Sequence, residues 1–300
     1  NVTVEHEFEL DIPPLYHYCD TTTCKSIVEN SELWLSSLRQ SNDAMEGHLL
    51  RRLIHEALAE MNLSQDVAAE LTDMWDTWFF QVDCFATCLS TEKDLLSQWR
   101  GYAANGSGFS IGFDAEALTK LEFTDGPLLG SWANARTQLY YVEYDEQQQK
   151  EQVREVFSDM LPMLKILSGQ RSLRNLLQEA DDQTKAKELG KVKARTEVAH
   201  KLFQWVPQAY TIKSDAFAEE HEARLMAIAP LMPKVHRYRT RAAALVPYLR
   251  LNISAGDRSP IVSVRLGPTN PTPADVIRSY LRGHDMGHIE VTTSVASYRG

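Results

Sequence analysis

Short strand-like runs at both ends of the chain bracket a long polar block, and this layout limits the fold more than any other feature. LYHY (15–18), LWLSS (33–37), VDCFATCLS (82–90), GFSIGFD (108–114) and QLYYVEYD (138–145) precede the block. EARLMAIA (222–229), LVPYLRLNI (245–253), IVSVRLG (261–267) and IEVTTSV (289–295) follow it. Residues 146–212 between them read as two helices. Further helices are expected to about Glu29 with an N-cap among Thr21–Thr23, from Ala44 to Met61, from a Ser64 cap to about Phe80, over 94–103, and over 272–283 with Thr272 as N-cap. NGSG at 105–108 reads as a turn. The expected fold is α+β: a mostly antiparallel sheet built from both ends of the chain. It forms one domain over residues 1–300, with 146–212 as a helical insert.

Size and charge exclude several classes. A chain of 300 residues buries about 75% of its unfolded surface and needs neither disulfides nor a metal to fold. With 43% hydrophobic and 24% charged residues it is not a disordered or fibrous chain. Its 31 Lys and Arg against 41 Asp and Glu give a net charge of −10, which repels nucleic acid at long range. No apolar run is long enough to span a bilayer, so no membrane partner is expected. No basic stretch leading into an apolar core opens the chain, so a cytoplasmic protein is expected. Cys19, Cys24, Cys84 and Cys88 lack the CxxC spacing of structural zinc and read as reduced thiols.

Five constellations carry potential chemistry. His17 sits between two tyrosines and reads as a core histidine bonded to backbone or as a functional one. Asn42, Asp43 and Glu46 form a helix start with first-turn acids, or a carboxylate pair. Glu219, Glu220, Glu222 and Arg224 form an acidic turn leading into a strand. In extended chain Glu220, Glu222 and Arg224 share one face, where paired carboxylates can bind ribose hydroxyls and stabilise a developing cation. Lys234, Arg237, Arg239 and Arg241 read as a solvated basic loop or as a phosphate clamp. His284 and His288 have helical metal spacing, but glycines interrupt them and no third ligand is near, so no metal is expected. Walker, GxGxxG, GxSxG and HExxH signatures are absent.

Several motifs then follow in order. They are Tyr16-His17-Tyr18, Leu33 to Ser37, Asn42-Asp43 with Glu46, Ser97-Gln98-Trp99 with Tyr102-Ala103, and Gly108 through Gly112-Phe113-Asp114. Later come Lys213, Phe217, Glu220, Glu222 and Arg224, then Val246-Pro247-Tyr248, Gly267-Pro268, Ser294 and Tyr298-Arg299. This succession resembles the bacterial family called domain of unknown function 2971, over about residues 15–299. Ala44 departs from that pattern, where Pro usually follows Asn-Asp. Cys19 also departs, standing where Thr or Ser often follows the Tyr-His-Tyr run, so any ligand contact by that hydroxyl is lost.

More distantly, the chain is similar to the ADP-ribosyltransferase superfamily, especially its DNA-modifying toxin branch, which begins with a Tyr-His-Phe-Thr run. That likeness implies a split, mostly antiparallel sheet and NAD as substrate. It places His17 on the adenosine ribose and Glu222 on the 2′-hydroxyl of the nicotinamide ribose. Tyr18, Ser36 and Ser37 would line the nicotinamide end, Glu220 would orient an acceptor, and Arg239 or Arg241 would hold the pyrophosphate. Whether Glu220 or Glu222 is the essential acid stays open. The activity implied is transfer of ADP-ribose to a nucleic acid or protein, in a toxin or phage-defence effector. Two other classes remain: a non-catalytic nucleic-acid-binding or sensor module using 234–241, and a nucleotide or glycan hydrolase using a carboxylate pair.

Overall fold

The computed structural model describes residues 12–41, 48–61, 63–124, 137–167, 182–230, 237–241, 243–254 and 259–297. Asn42, Asp43, Glu46, Lys234, Tyr298 and Arg299 lie outside them. The elements are β1 (Leu15–Cys19), α1 (Thr21–Asn30), β2 (Glu32–Ser37), α2 (Leu49–Glu60), α3 (Gln65–Gln81), β3 (Val82–Ser90), α4 (Leu96–Tyr102), β4 (Phe109–Phe113), α5 (Ala115–Thr119) and β5 (Glu122–Phe123). There follow β6 (Gln138–Tyr141), α6 (Glu146–Leu167), α7 (Asp182–Gln204), β7 (Glu222–Pro230), β8 (Arg237–Arg241), β9 (Ala244–Asn252), β10 (Ile261–Leu266), α8 (Ala274–Arg282) and β11 (Glu290–Thr293).

The architecture is α+β with a mostly antiparallel sheet, as the alternating runs require. Its order is β11-β10-β4-β1-β3-β2-β9-β5, and only β10 and β11 among these pairs run parallel. Strand β7 lies along the whole of β3, β6 lies on β7, and β8 forms a hairpin with β9. Period-two burial sends side chains to two cores. Leu15, Leu33, Leu35, Phe85 and Leu225 face a cluster closed by α1, α5 and α8. Cys84, Ala86 and Met226 face the other way, into a cluster built by α2, α3, α6 and α7. Within the polar block, 146–167 and 182–204 are helical because their apolar stripes (Val153, Phe157, Met160 and Leu164 on α6; Ala194, Val198 and Leu202 on α7) pack against the sheet's second face.

The sheet forks at β3. With β7 occupying one edge, both β1 and β2 must use the other. Ser90 pairs with Tyr16 of β1, while Ala86 and Phe85 pair with Ser36 and Ser37 of β2. Thr87, Cys88 and Leu89 span the gap. Side chains replace the missing ladder there: the Thr87 hydroxyl donates to the Trp34 carbonyl at 2.7 Å, and His17 Nδ1 bonds the Cys88 carbonyl at 3.0 Å. Close backbone approach beside the fork needs glycine, since a Cβ on Gly108 would lie 2.1 Å from the Cys19 carbonyl oxygen.

Local readings needed four corrections. The cap of α1 is Asp20, whose carboxylate accepts from Thr23 N, not one of the threonines. Pro273 occupies the N-cap of α8 with no side-chain bond, because the Thr272 amide is itself turned onto Asn270 Oδ1. The strand expected over 138–145 ends at Tyr141, and Glu143 continues only as a bridge to Ile212. The basic segment is not a loop: Arg237–Arg241 is a strand, satisfied by backbone pairing to β9 that its charged sequence does not advertise. No helix among the described residues is long and apolar enough to cross a membrane.

Candidate functional site

A cavity of about 560 Å³ opens through the fork, within the size range of small-molecule sites. Strand β1 brings His17 and Tyr18 to it, β2 brings Trp34, Ser36 and Ser37, and β3 brings Ala86, Thr87 and Cys88. The far wall is Lys213, Phe217, Glu220, Glu222 and Arg224. Arg239 and Arg241 of β8 close it from the side. His17, Tyr18, Ser36, Ser37, Glu220, Glu222, Arg239 and Arg241 thus meet in one place although they lie more than 200 residues apart in sequence.

The acidic end is a compact ion cluster. Arg224 grips Glu222 with two bonds, Nε to Oε1 at 2.7 Å and a terminal nitrogen to Oε2 at 2.9 Å. Lys213 Nζ donates to Glu222 Oε2 at 2.7 Å and to Glu220 Oε2 at 2.9 Å. The Tyr102 hydroxyl donates to Glu220 Oε1 at 3.0 Å, and Arg224 also donates to the Tyr210 carbonyl. Two carboxylates and two cations cancel. Burial alone would raise the Glu222 carboxyl, but Arg224 and then Lys213 outweigh it and hold it down at about 2. Glu222 is therefore a fixed anion. Burial opposes the charge on Lys213, yet Glu222 and Glu220 drive its pKa well up, so it stays an ammonium. Burial, with the Glu220 charge behind it, raises the Tyr102 phenol.

The two acids differ. The expected face-sharing by alternation holds only for Glu222 and Arg224. Glu220 ends a short 3₁₀ turn (Asp215–Glu220), and His221 is left-handed with φ 47°, so the extended register starts after it. Lys213, not strand geometry, brings Glu220 beside Glu222. Glu222 accepts three bonds, whereas each Glu220 oxygen accepts one and its side chain is 14% exposed against 6%.

His17 is bonded to backbone, as the core-histidine reading expects, and its ring also lines the cavity. Because a carbonyl only accepts, Nδ1 carries the proton and Nε2 is an acceptor. Burial, then the Arg239 charge, lowers its pKa against the effect of the Cys88 bond, so the ring is neutral. Trp34 stacks on Tyr248 with centroids 4.2 Å apart. Arg239 Nε is buried with no hydrogen-bond partner, while Arg241 donates to the Gln40 carbonyl.

Lys213, Tyr102, Trp34 and Tyr144, whose hydroxyl accepts from the Glu222 amide at 3.1 Å, were not singled out as site residues from the sequence. Lys213, Tyr102 and Trp34 belong to the ordered motifs of the sequence, but their types are common, and tertiary contact is what assigns them to the site. His284 rests edge-on against Tyr280, and no group of three or more His, Cys, Asp or Glu is placed to hold a metal among the described residues. Cys19, Cys24 and Cys84 are buried thiols, and Cys88 is an exposed one on the cavity wall.

Ser37 donates at 2.6 Å to Asp83, a buried carboxylate which burial raises to about 6 despite Ser37 and Arg39. A folded pKa above the ordinary 3.8 means stability that is full below 3.8 and is lost as pH rises through 6. Asp83→Asn, which does not titrate, should therefore gain on the wild type by up to roughly 3 kcal/mol between pH 4 and 7.5. Urea midpoints of both proteins across that range test this; a constant difference would refute it.

The fold and cavity define an α+β chain with a cleft at a fork in its sheet, flanked by a balanced ion cluster and by the β8 arginines, of which Arg239 has a partnerless Nε. Residues 98–225 match the family model described as protein of unknown function (DUF2971). That stretch carries α4 and the Lys213–Arg224 cluster, so the resemblance expected over 15–299 is supported in its middle part. No curated protein and no solved structure matches the chain.

Proposed function

We propose that the chain cleaves the nicotinamide glycosidic bond of NAD and transfers ADP-ribose to a macromolecular acceptor. The observation that carries this reading is the meeting, in one cavity at a sheet fork, of the neutral His17, Ser36 and Ser37, the Glu220–Glu222 pair and the partnerless Arg239 Nε. Each fits a part of the dinucleotide. Arg239, joined by Arg241, offers the guanidinium that a pyrophosphate pairs with. His17 Nε2 accepts from a ribose hydroxyl. Tyr18, Ser36 and Ser37 border the nicotinamide end.

Nicotinamide leaves with the bonding pair, and C1′ takes on oxocarbenium character. Preorganised charge aimed at that atom is what accelerates such a step. Three of the four acceptor positions of Glu222 are taken by cations, so its work is to hold Lys213 and Arg224 in place. Glu220, with one acceptor site open on each oxygen, faces the sugar and takes the acceptor's proton. An acidic entry to β7 fits the ADP-ribosyltransferase likeness of the sequence, and a toxin or phage-defence role is what that likeness implies.

The test is NAD consumption with product analysis, with and without cell lysate. Nicotinamide release is the expected result, and dependence on lysate indicates a macromolecular acceptor. NAD intact after incubation, with no thermal shift on adding it, would overturn the reading. Salt-sensitive binding to nucleic acid without NAD turnover would instead point to the arginines of β8 as a binding surface. Hydrolysis of nucleotides or glycans without nicotinamide would point to a carboxylate hydrolase.

A further inference from the structure

Strand β1 ends in Cys19, and α1 begins at Thr21 with Asp20 between them as its N-cap. Cys24 follows three threonines, and its amide closes the first helical turn onto the Asp20 carbonyl at 3.0 Å. That turn carries α1 back over the strand end. The Cys24 thiol therefore meets the Cys19 thiol, and the two are hydrogen-bonded to each other. Both are buried, 4% and 6% exposed, in the apolar cluster closed by α1 and α8. One buried thiol is a small apolar group. A second thiol in contact with it adds a reaction, because the two sulfurs need only lose their hydrogens to be joined.

We propose that Cys19 and Cys24 form a reversible disulfide site in the wall of the cavity, closed by a peroxide and reopened by a thiol. The inference stands apart from the NAD reading. Its place in the fold gives it a consequence. The ring that the disulfide closes takes in Asp20, Thr22 and Thr23, which with Cys19 line the cavity. Oxidation thus ties together a stretch of the cavity wall. The cavity also gives peroxide, a molecule little larger than water, a route to Cys19. The other two cysteines form no such pair. Cys84 and Cys88 are four residues apart on β3, about 13 Å along the strand, too far to bridge.

The step balances with peroxide as the oxidant. Contact with Cys24, and then burial, push the Cys19 thiol well up, so it keeps its proton and Cys24 attacks. The Cys24 thiolate takes one oxygen from the peroxide, the O–O bond breaks, and hydroxide leaves. The Cys19 sulfur then attacks the sulfenic sulfur of Cys24. The S–S bond forms, the S–O bond breaks, and the departing hydroxide takes the Cys19 proton. Two thiols are oxidised, one peroxide is reduced, and two waters leave. Burial slows the first attack, so the exposure to peroxide is extended over hours.

The experiment treats the folded full chain with hydrogen peroxide. Catalase then removes the oxidant, and the chain is unfolded in guanidinium chloride with excess iodoacetamide. Trypsin leaves Cys19 and Cys24 on one peptide, 1–25, and Cys84 and Cys88 on another, 53–93, because no Lys or Arg interrupts either. The expected 1–25 peptide has lost two hydrogens and carries no alkyl group. Dithiothreitol given before the alkylation should restore both alkyl groups. Cys24→Ala should leave Cys19 open to alkylation after the same treatment. The link is read directly in the wild type, so the test stands even if that variant fails to fold. Alkylation of both Cys19 and Cys24 after oxidation overturns the proposal. So does a disulfide that crosses to 53–93, or a sulfinic acid at Cys24 in place of the bond.

Discussion

Glu222→Gln should destabilise the fold by about 3–5 kcal/mol, the cost of stranding buried charge by removing one partner. Glutamine leaves Arg224, 1% exposed, and Lys213, 7% exposed, without the anion that both grip. The pH dependence supplies an independent measure. The carboxyl is held near 2 in the fold against an ordinary 4.5. A depressed pKa gives stability that is present above 4.5 and lost as pH falls toward 2. At about 1.4 kcal/mol per unit, that is roughly 3 kcal/mol. Urea unfolding at pH 7 and at pH 3 should show wild type losing about 2 kcal/mol of this increment, because the folded carboxyl still titrates below pH 3, and Glu222→Gln lacking that loss. A variant within about 1 kcal/mol of wild type at pH 7 would show that the cluster does not bear on stability. The converse substitution is informative too. Replacing Lys213, Glu222 and Arg224 together by apolar residues of similar size should recover most of the loss, since the cluster contributes little net stability over well-packed hydrocarbon. Its retention is better explained by the fixed charges it presents to the cavity.

What the sequence disclosed follows from the range of each interaction. Strands such as Leu15–Cys19 and Val82–Ser90 were legible because alternation and β-branched or aromatic content are local. Helix α3 was legible from its Ser64 start. The cap of α1 was missed by one residue because Asp20 and three threonines are all competent caps, and only geometry chooses. Strand β8 was missed because Arg-Tyr-Arg-Thr-Arg has no buried face of its own; its partner β9 makes it a strand. The same limit applies at the site. His17, Ser36, Glu220, Glu222 and Arg239 could be named one by one from chemical type and from resemblance. That they surround one cavity depends on the β3 fork, which is a matter of long-range pairing. The order of the two acids was not legible at all. It depends on Lys213 and Tyr102, which reach Glu220 from the segment before it and from α4.

That order makes the second large prediction. Glu220→Gln should lower NAD turnover by about 10²- to 10⁴-fold, the usual yield of a positioned acid or base. The loss should fall on kcat, with the KM for NAD little changed, because the interaction is needed at the developing cation and at the acceptor's proton rather than in the ground state. Stability should change by less than about 1 kcal/mol, since Lys213 keeps Glu222 and the exposed edge of the site can rehydrate. The pair of variants then separates two ways of losing activity. Glu222→Gln should lose it together with its fold and recover part of it at low temperature, where the destabilised protein is still populated. Glu220→Gln should stay inactive at every temperature at which it is folded. Steady-state kinetics alongside urea unfolding decide the matter. If Glu220→Gln retains turnover within threefold of wild type while a folded Glu222→Gln does not, the roles are reversed, and the acid gripped by Arg224 is the one that meets the sugar.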